Sequence, residues 1–100
     1  MTPRSRFRYK GARKDSSFGS GEFLATEEEF LDWCSRRFHW GWRELIVTSP
    51  GGLILARIRM LPSVSGVQYN PRVLEVRAPG GWKEVMRDTS RRSPYEYPAG

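Results

Sequence analysis

The sequence predicts an α+β fold in which one amphipathic helix packs on a three- or four-stranded antiparallel β-meander, with a basic arm at the N-terminus. Apolar residues recur at helical spacing over residues 27–38, and the strand-like segments that follow are punctuated by Pro-Gly-Gly at 50–52 and again at 79–81. Basic residues crowd into the first 21 positions. We therefore expect three parts: a flexible arm (1–21), a single α+β domain (22–88) and a C-terminal tail (89–100).

The arm combines basic side chains with residues that break regular structure. Proline, glycines and serines interrupt any helical pattern, and the Gly/Ser-rich run at 16–21 is typical of a flexible joint. Residues 6–10 alternate basic and aromatic side chains with period two. This alternation suits an extended arm on a phosphate backbone or, alternatively, an edge strand with its aromatic side chains inward.

The clearest element is the helix predicted over residues 27–38. Thr26 and Glu29 have the spacing of a capping box at its start, and Gly41 is suited to its C-terminal end. The apolar side chains of this segment fall in one stripe about 100° wide. They are Phe30, Leu31, Cys34 and Phe38.

Two hairpins are predicted after the helix. The first joins residues 43–48 to 53–60 through either a Pro-Gly type II turn or a Gly-Gly type I′ turn. The second begins with a strand at 72–78, and a Gly-Gly turn there would oppose Arg77 to Glu84. Residues 82–88 fit a strand or a helical turn equally well. The connection at 61–71 is long and nearly free of charge, as functional loops often are.

The net charge of +6 lies at the ends of the chain. Residues 1–21 hold six basic side chains and one acidic one, whereas residues 22–89 hold nine of each. Arginine outnumbers lysine fourteen to three, and its planar guanidinium binds phosphate bidentately and stacks on bases. The charge therefore favours a nucleic-acid partner, with codon bias as an alternative origin of the arginines.

The composition argues against several classes of protein. A chain with one Cys and one His cannot form an intramolecular disulfide framework or a Cys/His zinc site. The longest uncharged stretch, residues 60–71, is interrupted by prolines, and no apolar segment follows the basic N-terminus. We expect an intracellular, cytoplasmic protein that does not enter a membrane and needs no metal or cofactor.

No arrangement of residues predicts catalysis. Cys34 and His39 point about 140° apart around the helix, so His39 cannot activate the thiol. Glu27, Glu28 and Glu29 fan around the helix start, and no phosphate-binding glycine loop is present. We expect a non-enzymatic protein. A metal-independent nuclease built from scattered Arg, Tyr and Glu is the alternative that the pattern leaves open.

The candidate nucleic-acid-binding residues come from the arm and from the end of the helix, where basic and aromatic side chains alternate. They are Arg4, Arg6, Phe7, Arg8, Tyr9, Lys10, Arg13, Lys14, Arg36, Arg37, Trp40, Trp42 and Arg43. An alternative for the helix end is that the aromatic residues close the core while the arginine stems lie over it.

Two functions follow from these observations. The first is an accessory or regulatory protein that binds DNA or RNA mainly through phosphate contacts of the arm. The second is a protein-interaction or assembly component, such as a small inhibitor or a virion or complex subunit, which uses the neutral domain and residues 60–71. Its partner would be an acidic protein surface, and a homo-oligomer would enlarge a small core.

Overall fold

A single antiparallel sheet organises the chain. The computed structural model describes residues 3–62 and 71–88. Its elements are β1 (Ser5–Ala12), β2 (Phe18–Ala25), α1 (Glu27–His39), β3 (Glu44–Thr48), β4 (Ile54–Met60), β5 (Arg72–Ala78) and β6 (Gly81–Asp88). The strand order is β2-β1-β3-β4-β5-β6, and α1 packs on one face. The predicted tail at 89–100 and most of the 61–71 connection lie outside the described residues.

The predicted fold class is wrong in the extent of its sheet. The structure has six strands and one short helix, with 55% of the described residues in strands and 17% in helix. The additional strands are β1 and β2, which occupy the segment predicted to be a flexible arm and its joint. Arg6, Arg8 and Lys10 are therefore part of the sheet, whereas Arg13 and Lys14 lie in the connection between β1 and β2.

Strand β1 lies inside the sheet rather than at its edge. It pairs with β2 from Ser5 to Ala12 and with β3 from Arg8 to Ala12. The period-two alternation turns Phe7 and Tyr9 toward α1, and Phe7 is buried with its ring 4.8 Å from that of Phe30. Of the two interpretations of residues 6–10, the strand with inward aromatic side chains is the one observed. It is not an edge strand, because it pairs with β2 on one side and β3 on the other.

The glycines of β2 explain why this segment resembles a flexible joint. Glycine in a strand usually weakens it, unless another group approaches closely. Here a Cβ on Gly21 would lie 2.9 Å from the Tyr9 hydroxyl, and a Cβ on Gly19 would lie 2.5 Å from a guanidinium nitrogen of Arg13 and 2.9 Å from Trp42. Both glycines leave space for side chains that lie over β2.

The prediction for the helix is confirmed. Helix α1 begins after Thr26, whose hydroxyl accepts a hydrogen bond from the Glu29 amide at 3.2 Å. The Glu29 carboxylate in turn accepts one from the Thr26 amide at 2.9 Å, which completes the capping box. The chain leaves the helix at Gly41, whose φ of +94° favours glycine.

Both hairpins form. The central pairs of the first, Leu45 with Ile58 and Val47 with Ala56, have the register that a Gly-Gly turn gives, but the turn itself differs. The second differs in turn and register. In the first, Gly52 has a φ of +90° and Gly51 is not in the positive region, so neither the type II nor the type I′ turn is present. In the second, β6 is a strand, and Arg77 opposes Trp82 rather than Glu84. The turn closes around Pro79 and Gly80, which shifts the register by two residues.

The core lies between α1 and one face of the sheet. Its buried members include Cys34 and Phe38 from the helix and Leu45, Val47, Ile58 and Leu74 from the strands. Leu24 is 59% exposed, because it lies opposite Arg6 on the outer face of the sheet. The face of the sheet away from α1 is called the outer face below.

Arg72 of β5 connects the end of α1 to the sheet through hydrogen bonds. One guanidinium nitrogen donates to the carbonyls of Phe38 at 3.1 Å and Trp42 at 2.6 Å, and the other donates to the Asp88 carboxylate at 3.3 Å. The cation also lies 4.4 Å from the centroid of the Phe38 ring. These contacts satisfy carbonyls at the helix C-terminus and offset its negative dipole end.

Replacing Gly11 by alanine should lower the free energy of unfolding by about 1–3 kcal/mol, as overpacking typically does. A Cβ on Gly11 would overlap the backbone carbonyl of Glu44 in β3, and neither backbone can move without breaking the β1–β3 pairing. Urea denaturation followed by circular dichroism measures the change.

The matched control is Gly51→Ala, since a Cβ on Gly51 meets only the Ser49 hydroxyl at 3.8 Å. Its stability should stay close to that of the wild type. Equal stability of the two variants would contradict the close approach of β1 to β3.

Candidate nucleic-acid interface

A cleft of about 370 Å³ lies on the helix-bearing face, between the residues that follow β1 and the end of α1. We call it the basic–aromatic cleft. It is lined by Tyr9, Arg13, Lys14, Asp15, Arg37, Trp40 and Trp42. Apart from Asp15, all of these were predicted site residues, and the fold brings together members from the N-terminal segment and from the helix end.

The two tryptophans of the cleft have different roles. Trp40 follows α1 directly and is 61% exposed, so its ring is open to a ligand. The positive φ of Gly41 then turns the chain, and Trp42 is only 7% exposed. Trp42 contacts Tyr9 edge to face, with ring centroids 6.1 Å apart. Trp42 therefore forms part of the wall, whereas Trp40 stands at the opening.

Arg37 is held between two indole rings. Its guanidinium carbon lies 4.0 Å from the centroid of Trp33 and 4.7 Å from that of Trp40. Burial among these rings lowers the pKa of Arg37 below its usual value, although arginine stays protonated at physiological pH. The result is a fixed and partly desolvated cation beside the exposed ring of Trp40.

Arg13 and Lys14 supply the other two positive charges. Arg13 lies 5.1 Å from the Trp42 centroid and donates a hydrogen bond to the Phe18 carbonyl at 2.8 Å. The side chain of Lys14 passes over Gly41, where a Cβ would lie 3.0 Å from the lysine Cδ. Asp15 is engaged by Ser17, whose hydroxyl and amide donate to it and lower its pKa. The cleft thus contains three cations, Arg13, Lys14 and Arg37, and one carboxylate, Asp15, which is already hydrogen-bonded to Ser17.

The remaining predicted site residues lie elsewhere. Phe7 belongs to the core, and Arg6 and Arg8 approach Glu22 on the outer face at 3.6 Å and 3.2 Å. Lys10 shares that face because it opposes Ile46 and Ser20. The basic residues of β1 therefore do not line the cleft.

Three further arginines have partners within the fold. Arg4 makes a two-point contact with Glu29, at 3.0 Å and 3.1 Å. Arg36 pairs with Asp32 at 2.6 Å, as the spacing of four residues predicts. Arg43 donates to the Ser16 hydroxyl at 2.7 Å.

On the outer face of β4 and β5, the arginines are also engaged. Arg57 and Arg59 both approach Glu75 at 2.8 Å, and Glu75 is 8% exposed. The hydrogen bond from Arg59 is the main reason that the pKa of Glu75 is lowered. Arg57 and Arg77 also lie 4.0 Å and 4.8 Å from the centroid of the Trp82 ring. These contacts organise the sheet surface and leave the cleft as the better candidate site.

Trp33 was missed as a site residue. The Trp33 ring stacks on the Phe23 ring, with centroids 3.8 Å apart and an interplanar angle of 7°. The guanidinium of Arg37 lies over the Trp33 ring. The available signal was the spacing of four residues between Trp33 and Arg37 on one helix, which places their side chains together.

No protein-family model, curated protein or solved structure matches the chain. Among residues 3–62 and 71–88, no three His, Cys, Asp or Glu side chains are grouped as metal ligands would be. Within the same ranges, no helix is long and apolar enough to span a membrane.

Glu29→Gln should remove a pH-dependent contribution to stability. Hydrogen bonds from Arg4 and from the Thr26 amide lower the pKa of Glu29 from 4.5 to about 2. A carboxylate with a depressed pKa stabilises the fold above its ordinary pKa, and this contribution disappears as the pH falls through the folded value. The difference in stability between wild type and variant should therefore be constant above pH 4.5 and shrink toward pH 2.

Urea denaturation at a series of pH values measures this difference. Glu28→Gln is the control, because it changes the same charge in the same helical turn without touching Arg4. A Glu29→Gln profile identical to that of Glu28→Gln would contradict the contact with Arg4.

Proposed function

We propose that this protein is a non-enzymatic accessory or regulatory protein that binds single-stranded nucleic acid at the basic–aromatic cleft. The observation that supports this most directly is the exposed ring of Trp40 beside the fixed cation of Arg37, with Arg13 and Lys14 lining the same cleft. Aromatic rings with cations around them are the common means of binding unpaired bases and their phosphates. An intracellular, cytoplasmic location belongs to the same proposal.

Each part of the cleft has a role in this proposal. A base stacks on the open ring of Trp40, because every base offers a π-face. Arg13 and Lys14 contact the adjacent phosphate, while Arg37 holds the orientation of the Trp40 ring. The cleft, at about 370 Å³, is at the lower end of the range for small-ligand sites. A duplex keeps its bases stacked inside the helix, so the cleft favours a single strand.

The N-terminal basic residues have a smaller part than the sequence suggests. Arg4, Arg6 and Arg8 are engaged by Glu29 and Glu22, so each must release a carboxylate to contact a phosphate. These ion pairs are exposed, so breaking them costs little. Arg6 and Arg8 nevertheless lie on the face of the sheet opposite the cleft, so a strand bound in the cleft does not reach them and their phosphate contacts are secondary.

Binding should be independent of sequence and sensitive to salt. Stacking and phosphate contacts carry little base identity, and the two phosphate-contacting cations, Arg13 and Lys14, at about −0.7 each give a slope of about −1.4 in log K against log salt. Fluorescence anisotropy with labelled oligo-dT and oligo-rU, from about 50 to about 200 mM salt, measures the slope. No binding of either oligonucleotide at the lowest salt would refute the proposed function.

Trp40→Ala should weaken binding by about 5- to 150-fold, since stacking of a base on an aromatic ring is worth about 1–3 kcal/mol. Arg37→Ala should weaken it as well. The matched control is Arg36→Ala, which removes the same charge from the neighbouring helical position but lies outside the cleft. Equal losses for Arg36→Ala and Arg37→Ala would show that net charge, and not the cleft, carries the binding.

A protein-assembly function is the second candidate. Most of residues 60–71, on which it partly depended, lies outside the described residues. One observation favours it independently: Phe18 and Leu24 are 85% and 59% exposed on β2, an outermost strand among the described residues, and a strand edge with open apolar side chains is suited to a protein partner.

A further inference from the structure

The two edges of the sheet differ in their protection against pairing. Within the described residues, β2 and β6 are the outermost strands. Edge strands avoid association through charged side chains and bulges. Strand β6 has both: a register irregularity against β5, and the charged residues Lys83, Glu84, Arg87 and Asp88.

Strand β2 lacks these protections. Glu22 is its single charged residue, it contains no proline, and its pairing with β1 is regular from end to end. Phe18 and Leu24 are 85% and 59% exposed on the outer face. Arg13 donates to the Phe18 carbonyl at the start of the strand, so a partner strand would share or displace this one contact. An edge strand with open apolar side chains is otherwise suited to receive another strand.

We propose that β2 pairs antiparallel with β2 of a second copy of this chain, about a two-fold axis at Gly21. The sheet then continues across the two copies, and the helices stay on one face. Residues directly opposite each other in an antiparallel pair must point to the same face. With the axis at Gly21, the outer-face pairs are Phe18 with Leu24 and Ser20 with Glu22, and the inner-face pair is Gly19 with Phe23.

This register is self-complementary. Each exposed apolar side chain meets the other type in the second copy, since Phe18 lies opposite Leu24 in both halves of the pair. Moving the axis to Glu22 would place the Glu22 side chains of the two copies directly opposite each other, and like charges in opposed positions are unfavourable. Moving it to Ser20 would place Leu24 opposite a residue beyond the start of β2, so that its exposed side chain stays unpaired. The side chains of β2 therefore select the axis at Gly21.

The pairing brings one further cation toward Glu22, which Arg6 and Arg8 of its own copy already approach at 3.6 Å and 3.2 Å. Lys10 lies beside Ser20 in the β1–β2 register, and it has no ion pair within residues 3–62 and 71–88. In the paired sheet, Glu22 of the second copy lies on the other side of Ser20. Since serine is short, Lys10 can extend across it toward this carboxylate. The inference does not depend on nucleic-acid binding.

Light scattering coupled to gel filtration tests the association, at protein concentrations on the order of 100 µM so that mass action favours the dimer. The wild type should have twice the mass of one chain. Phe18→Lys and Leu24→Lys should each be monomeric with an unchanged circular dichroism spectrum. Leu53→Lys is the control, because Leu53 is 52% exposed but lies in the β3–β4 turn. A monomeric wild type, or a dimer that persists in both β2 variants, would overturn the proposal.

Disulfide cross-linking tests the register. Opposed residues in an antiparallel pair have Cα atoms about 4.5–5.5 Å apart, within the range of a disulfide. The double variant Ser20→Cys/Glu22→Cys, which keeps Phe18 and Leu24, should form a covalent dimer under mild oxidation, whereas each single variant should not. The native Cys34 is fully buried and should not interfere. Cross-linking of Glu22→Cys alone would contradict the axis at Gly21.

Discussion

The structure depends on the position of β1 between β2 and β3. Its inward side chains, Phe7 and Tyr9, pack against Phe30 and Trp33 of α1, with ring centroids 4.8 Å and 4.9 Å apart. Without β1, strand β2 would have no described neighbour in the sheet, and the helix would lose much of the aromatic surface beneath its first turns. Within residues 3–62 and 71–88, the fold is therefore a six-stranded sheet in which the N-terminal strand joins β2 to β3, and not a small domain with an appended arm.

The orientation of β1 in the sheet also determines on which face the basic side chains of this strand lie. Because side chains alternate between faces, burying Phe7 and Tyr9 places Arg6, Arg8 and Lys10 on the outer face. Tyr9 then forms part of the basic–aromatic cleft, while the basic residues of β1 lie on the opposite side of the sheet. The cations of the cleft come instead from the residues just after β1 and from the end of α1. The candidate site is thus a product of tertiary packing rather than of local charge density.

The parts of the fold that could be predicted are those with local signals. The capping box at Thr26 and Glu29 and the positive φ of Gly41 bound the helix through contacts within a few residues. The position of β1 could not be predicted, because its pairing with β3 joins residues as far apart as Lys10 and Ile46. Gly19 and Gly21 resemble a joint for the same reason: the groups that require them, Tyr9 and Trp42, are distant in sequence or across the sheet. For the candidate site, the sequence pointed to basic and aromatic residues, but only the fold separates those that line the cleft from those on the outer face.

Amide hydrogen exchange of residues 8–12, followed by NMR, tests most directly whether β1 is an integral strand. These amides lie where β1 pairs with strands on both sides, so exchange requires the sheet to open. They should exchange as slowly as the amides of Leu45 and Val47 in β3, and with the same dependence on denaturant. Exchange at the rate of an unstructured peptide, while β3 stays protected, would contradict the account and restore the flexible arm.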